Sequence, residues 1–348
     1  MQEEVLSRRK LFFLNDQVFF RCQEATISEA MNTPGYPLRE FDGGFSLYSI
    51  MLVADDGFSD FASLIMYYTT RSLSHESDIL RAAQGMLHRY SSLNKKDLIE
   101  GLPGPLDQSL LFSKYDPLVR SVNSLSLRRD GFPSYSWTGW RSVAHWDVVL
   151  NSAAIIPDSS SNNSQLTNTS APEDVLSTWI RWHLICKDDV FLVDSDGNRQ
   201  PSTSSSINEF LPHCRPEFRN YSIPEDQDDH NACIRVPYTV LLFWTVCINL
   251  TIVKPSKVTT GADALGYDVL SYSGEVCGEV ILDTCHFDGM REGMFALITG
   301  NPNGRFWALL LKRHQGGHME RWGLANLASK CLDGHSQHVP LWKKIILA

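Results

Sequence analysis

The spacing of apolar residues changes near Phe132, and this constrains the fold more than any other feature of the 348-residue sequence. Before that point apolar side chains recur every three or four positions: Phe58, Phe61, Leu64, Ile65 and Tyr68, then Ile79, Ala82, Ala83, Met86 and Tyr90. Such stripes belong to amphipathic helices lying on a core. Ser74 is placed to cap the second helix, with Glu76 and Asp78 in a first turn where the helix dipole favours negative charge. Leu93 to Pro117 reads as a short helical segment broken by Pro103-Gly-Pro105. After Pro133 the period is two. Tyr135 and Trp137 alternate with serines, and Leu176, Thr178, Ile180, Trp182, Leu184 and Cys186 alternate with more polar partners. Val276, Gly278, Val280 and Leu282 do the same, as do Trp307, Leu309 and Leu311. A period of two is that of a strand with one face inward. Asp196-Gly197, Asn303-Gly304 and Gly316-Gly317 supply hairpin turns, the last returning the chain so that Met319 to Leu324 can pair with Phe306 to Lys312. The sequence therefore predicts an α+β protein. A helical connecting region at 31–131 leads into a β-rich, antiparallel, sandwich- or barrel-like C-terminal domain at 132–348. Polar inserts at 157–174, 199–232 and 254–266 interrupt it, and the first, rich in Ser and Asn, is expected to be disordered.

Two segments test this reading. Leu11-Phe-Phe13 and Val18-Phe-Phe20 flank Asn15-Asp16, a strand–turn–strand signal. An isolated hairpin is marginal in water, so its four Phe rings are expected to pack against the helices between Gly57 and Tyr90. Val236 to Val253 is uncharged and strongly apolar. A membrane span needs ~20 residues. This run is shorter, contains Pro237 and Asn249, and is rich in Val, Thr, Ile, Phe and Trp. It reads as a buried strand pair.

A hydrophobic content of 43% with 9 Trp is ample for a core. A net charge of −9 argues against sequence-independent nucleic-acid binding, which needs Lys and Arg on phosphates. The acidic, amphipathic first residues are no signal peptide, and the 8 irregularly spaced cysteines read as reduced, packed thiols. A cytoplasmic location is the expectation, and Asn162, Asn168, Asn220 and Asn249 are then not glycan acceptors.

No nucleotide-loop, nucleophile-elbow or His-Glu-x-x-His motif is present. Asp194-x-Asp196-Gly197-Asn198 resembles half a calcium loop, but no Glu occupies the twelfth position, and a hairpin turn explains it better. His213-Cys214 with His230 and Cys233, and Cys331 with His335 and His338, offer zinc-type donors at spacings that match no paired framework. Cys277 and Cys285 lie in apolar strand-like runs, where a thiol is ordinarily inert. Arg8, Arg9 and Lys10 form a small basic patch at a helix end, more simply solvated than phosphate-binding. Tyr135, Trp137, Trp140 and Trp146 could stack on a sugar or base, but at strand spacing they read as one wall of the core. No residue is assigned a catalytic, cofactor-binding or metal-binding role.

Several stretches carry a family resemblance. Gln2-Glu-Glu-Val-Leu-Ser7 with Arg8-Arg9-Lys10-Leu11, then Asp16 to Cys22 and Glu29, is similar to the C-terminal edge of the fungal heterokaryon incompatibility (HET) domain. The likeness continues through Tyr68 and Arg71-Ser-Leu-Ser74 with Asp78-Ile-Leu80, Ala82 and Gly85. It runs on through Gly101-Leu-Pro103 with Ser109-Leu-Leu-Phe112, and Pro133-Ser-Tyr-Ser-Trp137 with Gly139-Trp140. It ends with Leu309-Leu-Leu311, Glu320-Arg-Trp-Gly-Leu324 and Trp342 to Leu347. Phe112 and Tyr135 depart from the pattern, which usually has Trp at both places.

The resemblance implies an N-terminally truncated form, in which residues 1–30 are the last edge of the HET domain and its body lies upstream of Met1. Proteins of this family are allorecognition factors that trigger programmed cell death, and the HET domain, remotely similar to TIR domains, is the effector. The part present is then expected to be a regulatory region that interacts with protein partners and has no catalysis of its own. The alternatives are a TIR-like NAD-cleaving enzyme in a full-length form and a ligand-binding β domain.

Overall fold

The helical stripes fold as helices and the period-two segments largely as strands. The computed structural model describes residues 9–14, 17–22, 26–28, 57–115, 128–146, 177–187, 189–202, 218–223, 236–254, 266–283, 291–300, 304–332 and 339–348. The chain divides into two compact units, Met1–Asn94 and Lys95–Ala348. The expected disordered insert at 157–174 lies outside the described residues.

In the first unit, β1 (Arg9–Leu14), β2 (Gln17–Cys22) and β3 (Thr26–Ser28) form a small antiparallel sheet in that order. Leu14 stands opposite Gln17, while Asn15 and Asp16, read as a turn, lie outside the described residues. Arg9 and Lys10 accordingly begin a strand and do not end a helix. Cross-strand pairs Leu11–Phe20 and Phe13–Val18 share one face. Phe20 and Val18 are half-buried there, but Leu11 and Phe13 remain 61% and 75% exposed. The cover expected from the helices does not reach these two. They stand on the edge strand, with a neighbour on one side only, whereas Phe20 is flanked by Leu11 and Ile27.

Helices α1 (Gly57–Thr69) and α2 (Ile79–Asn94) bury the stripes that define them: Phe58, Phe61, Leu64, Ile65 and Tyr68 on one, Ile79, Ala83, Met86 and Tyr90 on the other. The Phe61 and Tyr90 rings meet at 5.4 Å, and the Tyr68 hydroxyl donates to the Ile79 carbonyl at 2.8 Å. Ser74 is not the cap. Glu76–Asp78 form a turn of 3-10 helix after an extended His75 that makes no side-chain cap, and α2 starts at Ile79.

The second unit opens with β4 (Leu98–Ile99), β5 (Leu102–Pro103), α3 (Leu106–Ser109), β6 (Ser113–Tyr115) and β7 (Val143–His145). The sheet strands follow: β8 (Ser177–Thr178), β9 (Trp182–Cys186), β10 (Asp189–Val193), β11 (Arg199–Pro201), β12 (Val240–Val253) and β13 (Gly266–Leu270). β14 (Val276–Leu282), β15 (Arg291–Gly300), β16 (Arg305–Arg313), β17 (Met319–Ala328) and β18 (Leu341–Leu347) complete it. Pairing runs β12–β13–β14–β17–β16–β15 and returns to β12, so these strands close a ring with no free edge. Strand β18 lies between the first half of β12 and the start of β17. The fold is α+β with a β-rich C-terminal region, its strands almost all antiparallel.

Strand β12 explains the apolar run. Val240–Leu242 pair with β9, Leu241–Cys247 with β18, Cys247–Ile252 with β15 and Thr251–Val253 with β13. Every residue from Val240 to Ile248 is buried, as in a strand covered on both faces. It is one long central strand, where the sequence suggests a pair. Among the described residues no helix is long and apolar enough to cross a membrane.

The two compact units meet at Asn94–Lys95, within the stretch read as a helical connecting region. Residues 95–112 hold little helix. Glu100 and Gly101 take positive φ (49° and 83°) in a tight turn between β4 and β5, and this arm docks on the β10–β11 hairpin. The Asp97 N–H donates to the Asp196 carbonyl at 3.1 Å, and Arg199 reaches the Leu98 carbonyl at 3.4 Å. The approach depends on glycine. A Cβ on Gly104 would stand 2.6 Å from the Gly197 nitrogen, and one on Gly197, at φ +88°, would stand 2.7 Å from the Asp97 carbonyl.

Candidate functional site

The aromatic set lies inside the second unit. Tyr135, Trp137, Trp140 and Trp146 are 0%, 0%, 3% and 1% exposed, so they offer no stacking surface to a ligand. Their polar edges are occupied by backbone. Trp137 Nε1 donates to the Gly101 carbonyl (2.9 Å), Trp140 Nε1 to Ser134 (2.8 Å), Trp146 Nε1 to Ser109 (3.2 Å) and the Tyr135 hydroxyl to Thr239 (2.6 Å). Residues 133–140 are not a strand despite their alternation. Trp137–Gly139 form a 3-10 turn in which Ser136 Oγ accepts from the Thr138 N–H and donates to the Glu100 carbonyl. The serines recur because each hydroxyl satisfies a buried partner.

Arg321, on β17, is the centre of this seam. It is fully buried, and its Nε donates to Asp283 Oδ2 at 3.0 Å, with Asp283 1% exposed. Nη1 donates to the Leu110 carbonyl at 2.7 Å, Nη2 to the Phe112 carbonyl, and the guanidinium lies 3.9 Å from the Phe112 ring centroid. The Arg321 N–H donates to Ser134 Oγ at 2.9 Å, and that hydroxyl donates to the Ala348 carbonyl. Burial lowers the guanidinium pKa, while Asp283 opposes that shift. The charge is spent on carbonyls and one carboxylate, so the arrangement ties segments together and presents no reacting group.

Asp107, in α3, is buried at 5% exposure. Desolvation pushes its carboxyl up to about 6, against backbone N–H donors and Lys96. A raised folded pKa favours the protonated form. Its contribution is complete below the unfolded value near 3.8 and is lost as pH rises through about 6. At ~1.36 kcal/mol per unit the ionised form costs about 3 kcal/mol. Asp107→Asn is expected to raise the melting midpoint at pH 8 and to change it little at pH 4. An equal gain at both pH values would show that ionisation is not the cause.

The other sequence candidates separate clearly. The Asp194 carboxylate accepts from the Asp196 N–H (3.0 Å), the Asn198 N–H (2.8 Å) and Asn198 Nδ2 (2.9 Å), which lowers its pKa; it closes the β10–β11 hairpin. Cys277 and Cys331 are 2% and 4% exposed, and the Cys331 thiol donates to the Cys277 carbonyl at 3.4 Å. Hydrogen bonding to Cys277 and burial push the Cys331 thiol up. Neither sulfur is open to a substrate. Arg8, His213, Cys214, His230, Cys233, Cys285, His335 and His338 lie outside the described residues.

One cluster is not anticipated from sequence. His314, His318 and Glu320 sit at the turn between β16 and β17, with one donor atom from each lying within 4.8 Å of the other two. The His314 N–H donates to the His318 carbonyl at 2.8 Å and the Gly317 N–H to the His314 carbonyl at 3.1 Å. This tight closure stacks the two imidazoles at 4.4 Å with 20° between planes. His314 Nδ1 accepts from the Gly316 N–H at 3.1 Å. The available signal was His-x-Gly-Gly-His: a Gly-Gly turn brings the residues flanking it face to face across the hairpin.

No family model matches the chain, and neither a curated protein nor a solved structure matches it.

Proposed function

We propose that this chain is the regulatory or interaction region of a heterokaryon-incompatibility-type protein. It meets a protein partner in non-self recognition and has no catalysis of its own. The observation that carries this reading is the ordered series of motifs from Gln2 to Leu347. Its support from the geometry is that Gly101-Leu-Pro103, Ser109 to Phe112, Pro133 to Trp140 and Glu320 to Leu324 come together at one seam through Trp137, Trp146 and Arg321. Residues so distant in sequence share a pattern because they build one scaffold. Their polar atoms are engaged with backbone, which suits a recognition module better than an active site. Burial of the aromatics leaves the reading of a sugar- or base-stacking domain without its surface.

Expressed alone in a fungal host, the 348-residue chain is expected to leave growth and cellular NAD unchanged. Cell death or NAD loss on expression, abolished by deleting residues 1–30, would place effector activity in this polypeptide and sink the proposal.

A further inference from the structure

We propose that the β16–β17 turn binds a divalent ion of the zinc class through His314, His318 and Glu320, a site independent of the function proposed above. Each of the three donors lies within 4.8 Å of the others. Donors held at ~2.0–2.2 Å on one tetrahedral ion stand about 3.3 Å apart, so the exposed His314 ring and the half-buried Glu320 side chain would both have to move inward on the ion. The hairpin hydrogen bonds already fix the backbone positions of both histidines.

A second observation points to a ligand. His318 is 7% exposed, yet its Nδ1 has no hydrogen-bond partner among the described residues. A buried imidazole nitrogen in that state is costly, and a metal ion satisfies it. The two rings pack closely over the turn: a Cβ added to Gly316 would lie 3.3 Å from His318 Nδ1 and 3.4 Å from His314 Nδ1. His314 Nδ1 is held by the Gly316 N–H, so this ring would ligate through Nε2.

The donor set selects the ion. Two imidazoles and one carboxylate suit zinc and its first-row neighbours, whereas calcium and magnesium take oxygen. Three protein donors leave a fourth position for water or for a side chain from a partner. Arg128 interacts with both His318 and Glu320, and its charge opposes a cation held there. Its guanidinium is itself occupied by the Arg129, Gly139 and Phe132 carbonyls.

The test uses the full chain, treated with chelator and titrated with zinc chloride by calorimetry, with cobalt(II) as a spectroscopic probe. One ion per chain is expected, with a visible cobalt band and a zinc-dependent rise in melting midpoint. His314→Ala and Glu320→Gln, both at accessible positions, should each weaken zinc at least about tenfold and abolish that rise, with an unchanged far-UV spectrum. No heat at millimolar zinc would overturn the proposal. So would parental affinity in both variants, which would move the ion to other donors such as Cys331 with His335 and His338.

Discussion

Replacing Arg321 with Met is expected to lower the unfolding free energy by about 3–5 kcal/mol, a large share of the ~5–15 kcal/mol that holds a domain together. The substitution removes a buried cation and leaves three acceptors behind. Asp283 loses its ion pair at 1% exposure, and the Leu110 and Phe112 carbonyls lose their donors. Attraction between the charges is not the main source of the loss. A buried pair roughly offsets its own desolvation, and what costs most is one partner left alone. The double variant Arg321→Met with Asp283→Leu should therefore recover part of the loss, but not all of it, since the two carbonyls remain unsatisfied. Lys330→Met is the control: its contact with Glu275 is 3.9 Å long, with side chains 50% and 72% exposed, and no measurable change is expected. Urea unfolding followed by tryptophan fluorescence reads all three. A parental midpoint for Arg321→Met would mean that the guanidinium does not tie the arm at 95–112 to the sheet.

That seam is also the part of the fold least legible in the sequence. Helices α1 and α2 were legible because their packing information is local: each stripe repeats within one turn. Strand β12 was legible as buried strand because fourteen consecutive residues carry one signal, although nothing in it shows that four neighbours share its edges. Arg321 shows the opposite case. Glu320-Arg-Trp322 reads as an ordinary charged strand start. Its partners lie 38, 211 and 209 residues away, where no periodicity can point. Pro133 to Trp140 misled because serines at every second position imitate a strand, while here they bond to carbonyls and amides of a turn. The His314–His318–Glu320 cluster has no ligand spacing along the chain, because a hairpin brings its donors together across it. The resemblance supplied the order of the seam's segments without saying why they recur. The hydrogen bonds of Trp137, Trp146 and Arg321 give that reason.

Leu309→Ala is expected to cost about 2–5 kcal/mol, in the upper half of that range. Leu309 is fully buried on β16, between Ala296 of β15 and Leu324 of β17. The period-two pattern points to one buried face of Trp307, Leu309 and Leu311, yet Phe306, Ala308 and Leu310 are buried and Trp307 is only half-buried, so β16 is covered on both sides. A cavity at this position is hard to refill. Both flanking strands are fixed by ladder hydrogen bonds, and the nearby Ala296, Ala308 and Ala325 have no length to lend. With ~2–4 °C lost per kcal/mol in a domain of this size, the melting midpoint should fall by roughly 10 °C. His314→Ala, measured in chelator, changes an exposed ring whose Nδ1 makes one contact, with the Gly316 N–H, and should stay within about 0.5 kcal/mol of the parent. The contrast tests the burial of β16 between its two neighbours against the exposure of the turn that follows it. Equal melting of the two variants would break the Leu309–Leu324 pairing and the closed ring that depends on it.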